Sequence, residues 1–363
     1  MKNASQVRKN RRDRRHWDDV YRNSGSLGCS RCPDFGICGG LHAASGALDC
    51  TTYCCGNPET CTTVCPNNPS FVDRVREVAG FALGQLDAAR VVPFPSLPSS
   101  VPIVYAKGRR REAFAPEAAA LSLYQLVNRN TGNARFATRS DLTTYFGLDL
   151  ATRIIASGTD KDPLLERWWQ LSTRRPETLR QLRELGIEAL TSPNFSVFSD
   201  VPRWDNFHAM RRIEICWREI LDAGLPCALH VNARSARDWE RWTEFARSRE
   251  EVDAISYEFA TGAAVRVSYH VDELRHLADR VNRPLKLLLR GALSEFTKFR
   301  QSYAEVTLLD STTYMRTVNR KIAMIRERAA PHWTNAPDRP DVDLDALMKH
   351  NHMAMLSAAK PSR

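Results

Sequence analysis

The chain has 363 residues, 43% of them hydrophobic and 26% charged, and 52 Lys and Arg against 42 Asp and Glu leave a formal net charge of +10. That length and composition describe a folded protein with one large core or two moderate ones, and exclude a fibrous or wholly disordered chain. No run approaches the roughly 18 apolar residues of a membrane span, and the basic excess favours a polyanionic partner, nucleic acid before others.

The first fifteen residues carry Lys2, Arg8, Lys9, Arg11, Arg12, Arg14 and Arg15 against one acid, Asp13. Residues 1–20 are expected to form a basic arm, disordered alone. Its Arg8, Lys9, Arg11, Arg12, Arg14 and Arg15 suit tracking a phosphate backbone by charge, although a solvated tail has the same composition. The arm has no apolar stretch of the kind a secretory leader needs, so a reducing, cytoplasmic setting is expected.

Eight of the ten cysteines follow within a short stretch: Cys29, Cys32, Cys38, Cys50, Cys54, Cys55, Cys61 and Cys65. In a reducing compartment such clustering points to metal rather than disulfides. The first group reads Cys29-x2-Cys32-x5-Cys38-x3-His42, and the second Cys50-x3-Cys54-Cys55-x5-Cys61-x3-Cys65. Three cysteines and a histidine suit zinc. All-cysteine ligation suits iron–sulfur, and Cys54 or Cys55 can stand in for His42 to give two four-cysteine sites. The expected cofactor is therefore an iron–sulfur cluster of the 4Fe–4S type, one or two copies, or zinc. The first group resembles the cysteine run of the auxiliary iron–sulfur domains of some radical enzymes, with His42 in the place of the fourth cysteine. The defining Cys-x3-Cys-x2-Cys run of those enzymes is not met, because Asn57 follows Cys50 and Cys54 where a third cysteine would stand.

Residues 21–90 are expected to comprise this metal module and a connecting amphipathic helix over 69–87, with Phe71, Val75, Val78, Ala82 and Leu86 on one side. The Pro-rich stretch 91–102 reads as a linker or entry loop. A strand–helix alternation then begins, with strands expected at 101–106, 134–138, 152–156, 186–191, 227–233, 253–260, 284–291 and 304–310. Helices are expected over 116–128, 163–185, 206–223, 235–249, 270–281, 293–302 and 313–328. Eight such units imply an α/β protein with a (β/α)8 TIM-like barrel over 91–330, before they imply an open doubly wound sheet. The tail 331–363 offers one short helix over 343–358, with His350 and His352 expected in solvent.

Chemistry in a parallel barrel gathers where the strands end. Those positions hold Ser157, Thr159 and Asp160, then Asn194, Ser196 and Asp200, then His230 and Asn232, Glu258 with Thr261 and Gly262, Arg290, and Asp310. Burying such groups costs several kcal/mol each unless they are paired or serve a function. Glu258, Asp200, Asp310 and His230 are the candidate catalytic residues. Asn194, Ser196, Asn206, Asn232 and Arg290 are the candidate substrate-binding residues. Glu258 stands out, since an apolar strand raises a carboxyl pKa toward a useful acid–base range; Arg290 is its expected partner, in a site or in an internal ion pair.

Pro193, Asn194, Phe195, Ser196, Asp200, Pro202, Asn206 and Arg211 form a pattern that resembles an uncharacterised domain family of phage and plasmid proteins. The resemblance covers about residues 180–310 and implies a barrel-like fold in a mobile-element setting, with no established reaction. The functional expectations are a nucleic-acid-associated barrel enzyme that modifies a base or nucleotide, a non-catalytic nucleic-acid-binding accessory protein, and a radical-type iron–sulfur enzyme. No membrane partner is expected.

Overall fold

The computed structural model describes residues 69–198, 203–260, 263, 266–326, 329–337 and 341–360. The basic arm, His42, all eight clustered cysteines, Asp200, Thr261 and Gly262 lie outside the described residues. The described residues divide into two compact units, one drawn from 89–194, 216–230 and 250–360, the other from 69–88, 195–215 and 231–249.

The larger unit is the barrel. Its strands are β1 (Ser100–Pro102), β2 (Ala118–Ser122), β3 (Arg153–Ser157), β4 (Ile187–Thr191), β5 (Cys227–His230), β6 (Ala254–Glu258), β7 (Lys286–Arg290) and β8 (Glu305–Asp310). All pair in parallel in the order β1-β8-β7-β6-β5-β4-β3-β2. The remaining gap is spanned by a parallel bridge from Ile103 to Ala120, with Val104 N–H donating to Ala120 O at 2.9 Å. The result is a nearly closed (β/α)8 TIM-like barrel.

Side chains alternate along a strand, so residues two apart share a face. Val101, Ala118, Ala120, Ile155, Ala189, Ala228, Ala254, Leu288 and Leu309 form one buried cluster with Phe94. Phe94 comes from the Pro-rich stretch, which is therefore part of the barrel unit rather than a free linker. Its N–H donates to Asp253 Oδ2 at 2.7 Å, and its carbonyl accepts from Lys286 Nζ.

The segment after β1 holds no helix. The stretch expected as a helix over 116–128 is instead β2 followed by one turn, α1 (Leu123–Leu126), and the strand expected at 134–138 is loop. Alanine favours helices in isolation, but residues 118–121 are at most 1% exposed and hydrogen-bond in register with β3. Interior position between two strands outweighs local preference here.

The other crossovers contain α2 (Arg139–Phe146), α3 (Asp162–Gln170) with α4 (Arg175–Glu184), α5 (Arg203–Asp222), α6 (Ala236–Ser248), α7 (Val267–Val281), α8 (Phe296–Phe299) and α9 (Thr312–Val318). The helix expected over 313–328 stops at Val318. Arg320 takes a left-handed φ of 52°, and β9 (Lys321–Arg326) and β10 (Ala329–Asn335) form an antiparallel hairpin. Asn351 anchors it from α10 (Leu344–Ala358): its Oδ1 accepts from Ala323 N at 2.8 Å and its Nδ2 donates to Lys321 O at 2.9 Å. His352, expected in solvent, is 8% exposed and meets the Phe114 ring edge-on at 5.4 Å.

In the smaller unit the helix expected over 69–87 ends early, at Glu77. Its Arg74 Nη1 lies 3.0 Å from His208 Nδ1, and Glu77 Oε2 lies 2.7 Å from His208 Nε2. Two long-range partners on one imidazole fix where this helix sits on α5. Burial holds the His208 pKa down to about 4, helped by the nearby Arg212 and Arg74 charges and opposed by Glu77.

Candidate active site

The inward alternation that places alanines in the barrel core places polar residues one layer higher. Ser122, Ser157, Thr191, His230 and Arg290 each lie two residues beyond an inward core residue on their strand, and Glu258 lies four beyond Ala254. They end their strands at the C-terminal mouth, where barrel chemistry is built.

A cavity of about 500 Å³ opens there. Glu258 and Arg290 border it from β6 and β7, Asp160 and Lys161 from beyond β3, and Ser122 from β2. Tyr105, Tyr124 and Arg129 add aromatic surface and a further cation. Volume and lining are those of a small-molecule site with a few convergent polar groups.

Glu258 and Arg290 stand opposite each other in the β6–β7 register, with Arg290 Nη1 at 3.3 Å from Glu258 Oε2. Glu258 is 6% exposed, and its Oε1 accepts from Ala260 N at 2.7 Å. Beyond its 3.3 Å contact with Arg290 Nη1, Glu258 Oε2 has no hydrogen-bond partner among the described residues, and neither has Arg290 Nε. Desolvation raises the Glu258 pKa above the ordinary carboxylate value, against the Arg290 charge and the Ala260 N–H, which pull it down. A carboxyl moved in that direction holds its proton more tightly than an exposed one, which suits it to general acid–base work.

Asp160 is half-buried on another wall of the cavity. Its Oδ2 accepts from Ser122 Oγ at 2.8 Å and its Oδ1 from Lys161 N at 2.9 Å. Its own N–H donates to Asn194 Oδ1 at 3.1 Å, so Asn194 shapes the loop that carries it while also bordering the cavity. Gly158 permits the loop's path: a Cβ there would lie 2.5 Å from Thr191 O and 2.7 Å from the Ser192 carbonyl. Tyr124 Oη donates to Gly158 O at 2.8 Å and holds the same turn from the end of β2.

The other candidate catalytic and substrate-binding residues among those described do not line this cavity. His230 is 3% exposed, its Nδ1 is 3.3 Å from Ser256 Oγ, and burial pushes its pKa down to about 3. Asp310 points away from the cavity, since Leu309 is the inward residue of that strand. Its carboxylate accepts from Thr312 N at 2.7 Å, from Thr313 N at 3.3 Å and from Thr313 Oγ1, so it caps the start of α9. Burial raises its pKa and these donors lower it. It borders a second cavity of about 250 Å³ shared with Gly291, Ser311 and Trp333.

In the smaller unit Asn206 holds Phe198 twice, accepting from its N–H at 2.9 Å and donating to its carbonyl at 2.7 Å. Asn232 Nδ2 donates to Phe195 O at 3.0 Å. Arg211 is 1% exposed, and its Nη1 pairs with Glu214 Oε2 at 2.5 Å. Ser196 is half-buried there. Asn206, Asn232 and Arg211 brace the framework of their unit.

Sequence reasoning missed Ser122, Tyr124, Arg129 and Lys161. The first two were hidden by reading β2 as a helix. Among the described residues no group of three or more His, Cys, Asp or Glu side chains is placed to hold a metal, and no helix is long and apolar enough to cross a membrane. No known protein family and no curated protein matches the sequence.

Proposed function

We propose that this protein is an enzyme whose active centre is the barrel mouth, with Glu258 as general acid and base and Arg290 as its electrostatic partner. The substrate class is a nucleotide or a nucleic-acid base, and the Cys29–Cys65 segment carries an iron–sulfur cluster or zinc that orders it. The observation that carries the reading is a buried Glu258 carboxyl paired at 3.3 Å with the partly exposed Arg290, both bordering one cavity. Arg129, Lys161 and Arg290 around one opening favour an anionic ligand such as a phosphate.

The test uses the full chain purified without oxygen and melted against a panel of nucleoside monophosphates and nucleobases. A ligand at ~100 times its dissociation constant adds about 2.7 kcal/mol of stability. At least one nucleotide should raise the melting temperature by several degrees, and Arg290→Leu should remove that rise. A panel with no stabilising member would refute the assignment.

The basic arm favours a second reading, a non-catalytic protein that grips nucleic acid through Arg8, Lys9, Arg11, Arg12, Arg14 and Arg15. Binding carried by the arm falls steeply with salt and is lost on deleting residues 1–16. Binding that survives the deletion would speak against the arm.

A further inference from the structure

We infer that Asp160 and Glu258 are a pair of catalytic carboxylates for cleavage or exchange at the glycosidic carbon of a nucleotide. The inference deepens the proposal above and rests on it. In the ring of eight strands, β6 is three places from β3, so the two carboxyl groups border the cavity from different walls. Their surroundings are unlike. Glu258 is nearly dry, and its Oε2 pairs with Arg290 Nη1 at 3.3 Å where both residues border the cavity. Asp160 is half-buried, and Ser122 Oγ and Lys161 N each hold one of its oxygens, which fixes the carboxylate's direction. Two carboxyl groups flanking one cavity in different environments are the arrangement that breaks a bond to a sugar carbon, one as acid and the other as nucleophile.

The remaining lining defines what the sugar carries. Tyr105 and Tyr124 provide aromatic surface for a base, and Arg129 and Lys161, both exposed, provide cations for a phosphate.

The steps balance. Asp160 attacks C1′ of the sugar while the bond from C1′ to the base nitrogen breaks, and that electron pair leaves with the base. The departing nitrogen takes the proton of Glu258. The resulting sugar ester on Asp160 is then attacked at C1′ by water or by an incoming base. The Glu258 carboxylate removes the proton from that nucleophile, and Asp160 is released as carboxylate.

A phosphorylated hydroxypyrrolidine, a cationic mimic of the ribosyl cation, is the probe. Its affinity for the full-length protein is measured by calorimetry for wild type, Asp160→Asn and Glu258→Gln, with melting curves to confirm folding. Asp160→Asn removes a charge-assisted hydrogen bond to the cation, and Glu258→Gln removes the carboxyl group whose proton passes to the ligand nitrogen and leaves a carboxylate beside it; each should weaken binding by about tenfold or more. If Asp160→Asn does not fold, Ser122→Ala, which removes the hydroxyl that orients Asp160, must weaken binding in its place. Weaker binding with Glu258→Gln but unchanged affinity with Asp160→Asn, or with Ser122→Ala, would overturn the pair and leave the mouth proposal standing. A wild-type protein that is stabilised by nucleotides yet ignores the pyrrolidine would overturn the glycosidic assignment alone. Failure with both ligands would overturn both.

Discussion

His230 stands at a strand end, the place expected of a catalytic base, and its surroundings make it a neutral core residue instead. The ring is 3% exposed and lies parallel to that of Tyr257, at 6.5 Å between centroids and 5° between planes. Its folded pKa is about 3, against about 6.5 in an unfolded chain. Between those values the unfolded state binds a proton that the native state refuses. His230 therefore contributes stability that is complete above about pH 6.5 and is lost as pH falls toward and through the folded value. A step from pH 7 to pH 4.5 crosses about two units of that window, which amounts to about 3 kcal/mol. Urea unfolding of wild type and His230→Gln at both pH values measures it. Wild type should lose about 3 kcal/mol more than the variant over that step, since His208 is present in both proteins and cancels. Equal losses, or a His230 resonance titrating near pH 6.5, would refute the argument and return His230 to the acid–base groups.

Asp310→Ala removes the acceptor for two backbone N–H groups and a buried hydroxyl and should cost about 2–4 kcal/mol, whereas Asp310→Asn, which keeps an acceptor oxygen, should cost much less; thermal or urea unfolding of the two variants separates a cap from a catalytic acid. Gly158→Ala drives a methyl group into the Thr191 and Ser192 carbonyls. It should destabilise by about 1–3 kcal/mol and weaken nucleotide binding, because the same loop carries Asp160; a variant as stable as wild type in a melt would show that the loop yields. Anaerobic purification should give a protein with bound metal, read from metal and sulfide analysis and from a broad absorption at roughly 400 nm if the metal is iron–sulfur. Zinc without colour supports the structural form of the module, and a metal-free protein would refute ligation by Cys29–Cys65.

The two carboxylates Glu258 and Asp310 show where strand-end reasoning succeeds and where it stops. Both end apolar strands, and both were legible as polar residues at costly positions. One residue of register separates their fates: Glu258 shares the inward face of Ala254 and Ser256, while Asp310 follows Leu309 and faces the start of α9. The alternation rule was available in the sequence, but which face of β8 is inward is fixed only once β1 and β7 pair with it. Ser122 shows the opposite case. Nothing local distinguishes the Ala-rich stretch before it from a helix, and only burial in register with β3 makes it a strand.

The sequence by itself determined the class of fold, seven of the eight strands, and the Glu258–Arg290 pair, because short apolar runs ending in charged residues reflect a burial cost that any fold must meet. It also determined the cysteine spacing and the basic arm, which are chemistry written in the chain and independent of packing. Only the tertiary structure decided that 118–122 closes the barrel, that His230 and Asp310 lie outside the lining of the cavity at Glu258, and that Asp160 shares that cavity. Each of those depends on contacts between residues far apart in the chain, whose free energies outweigh local preferences and leave no local trace.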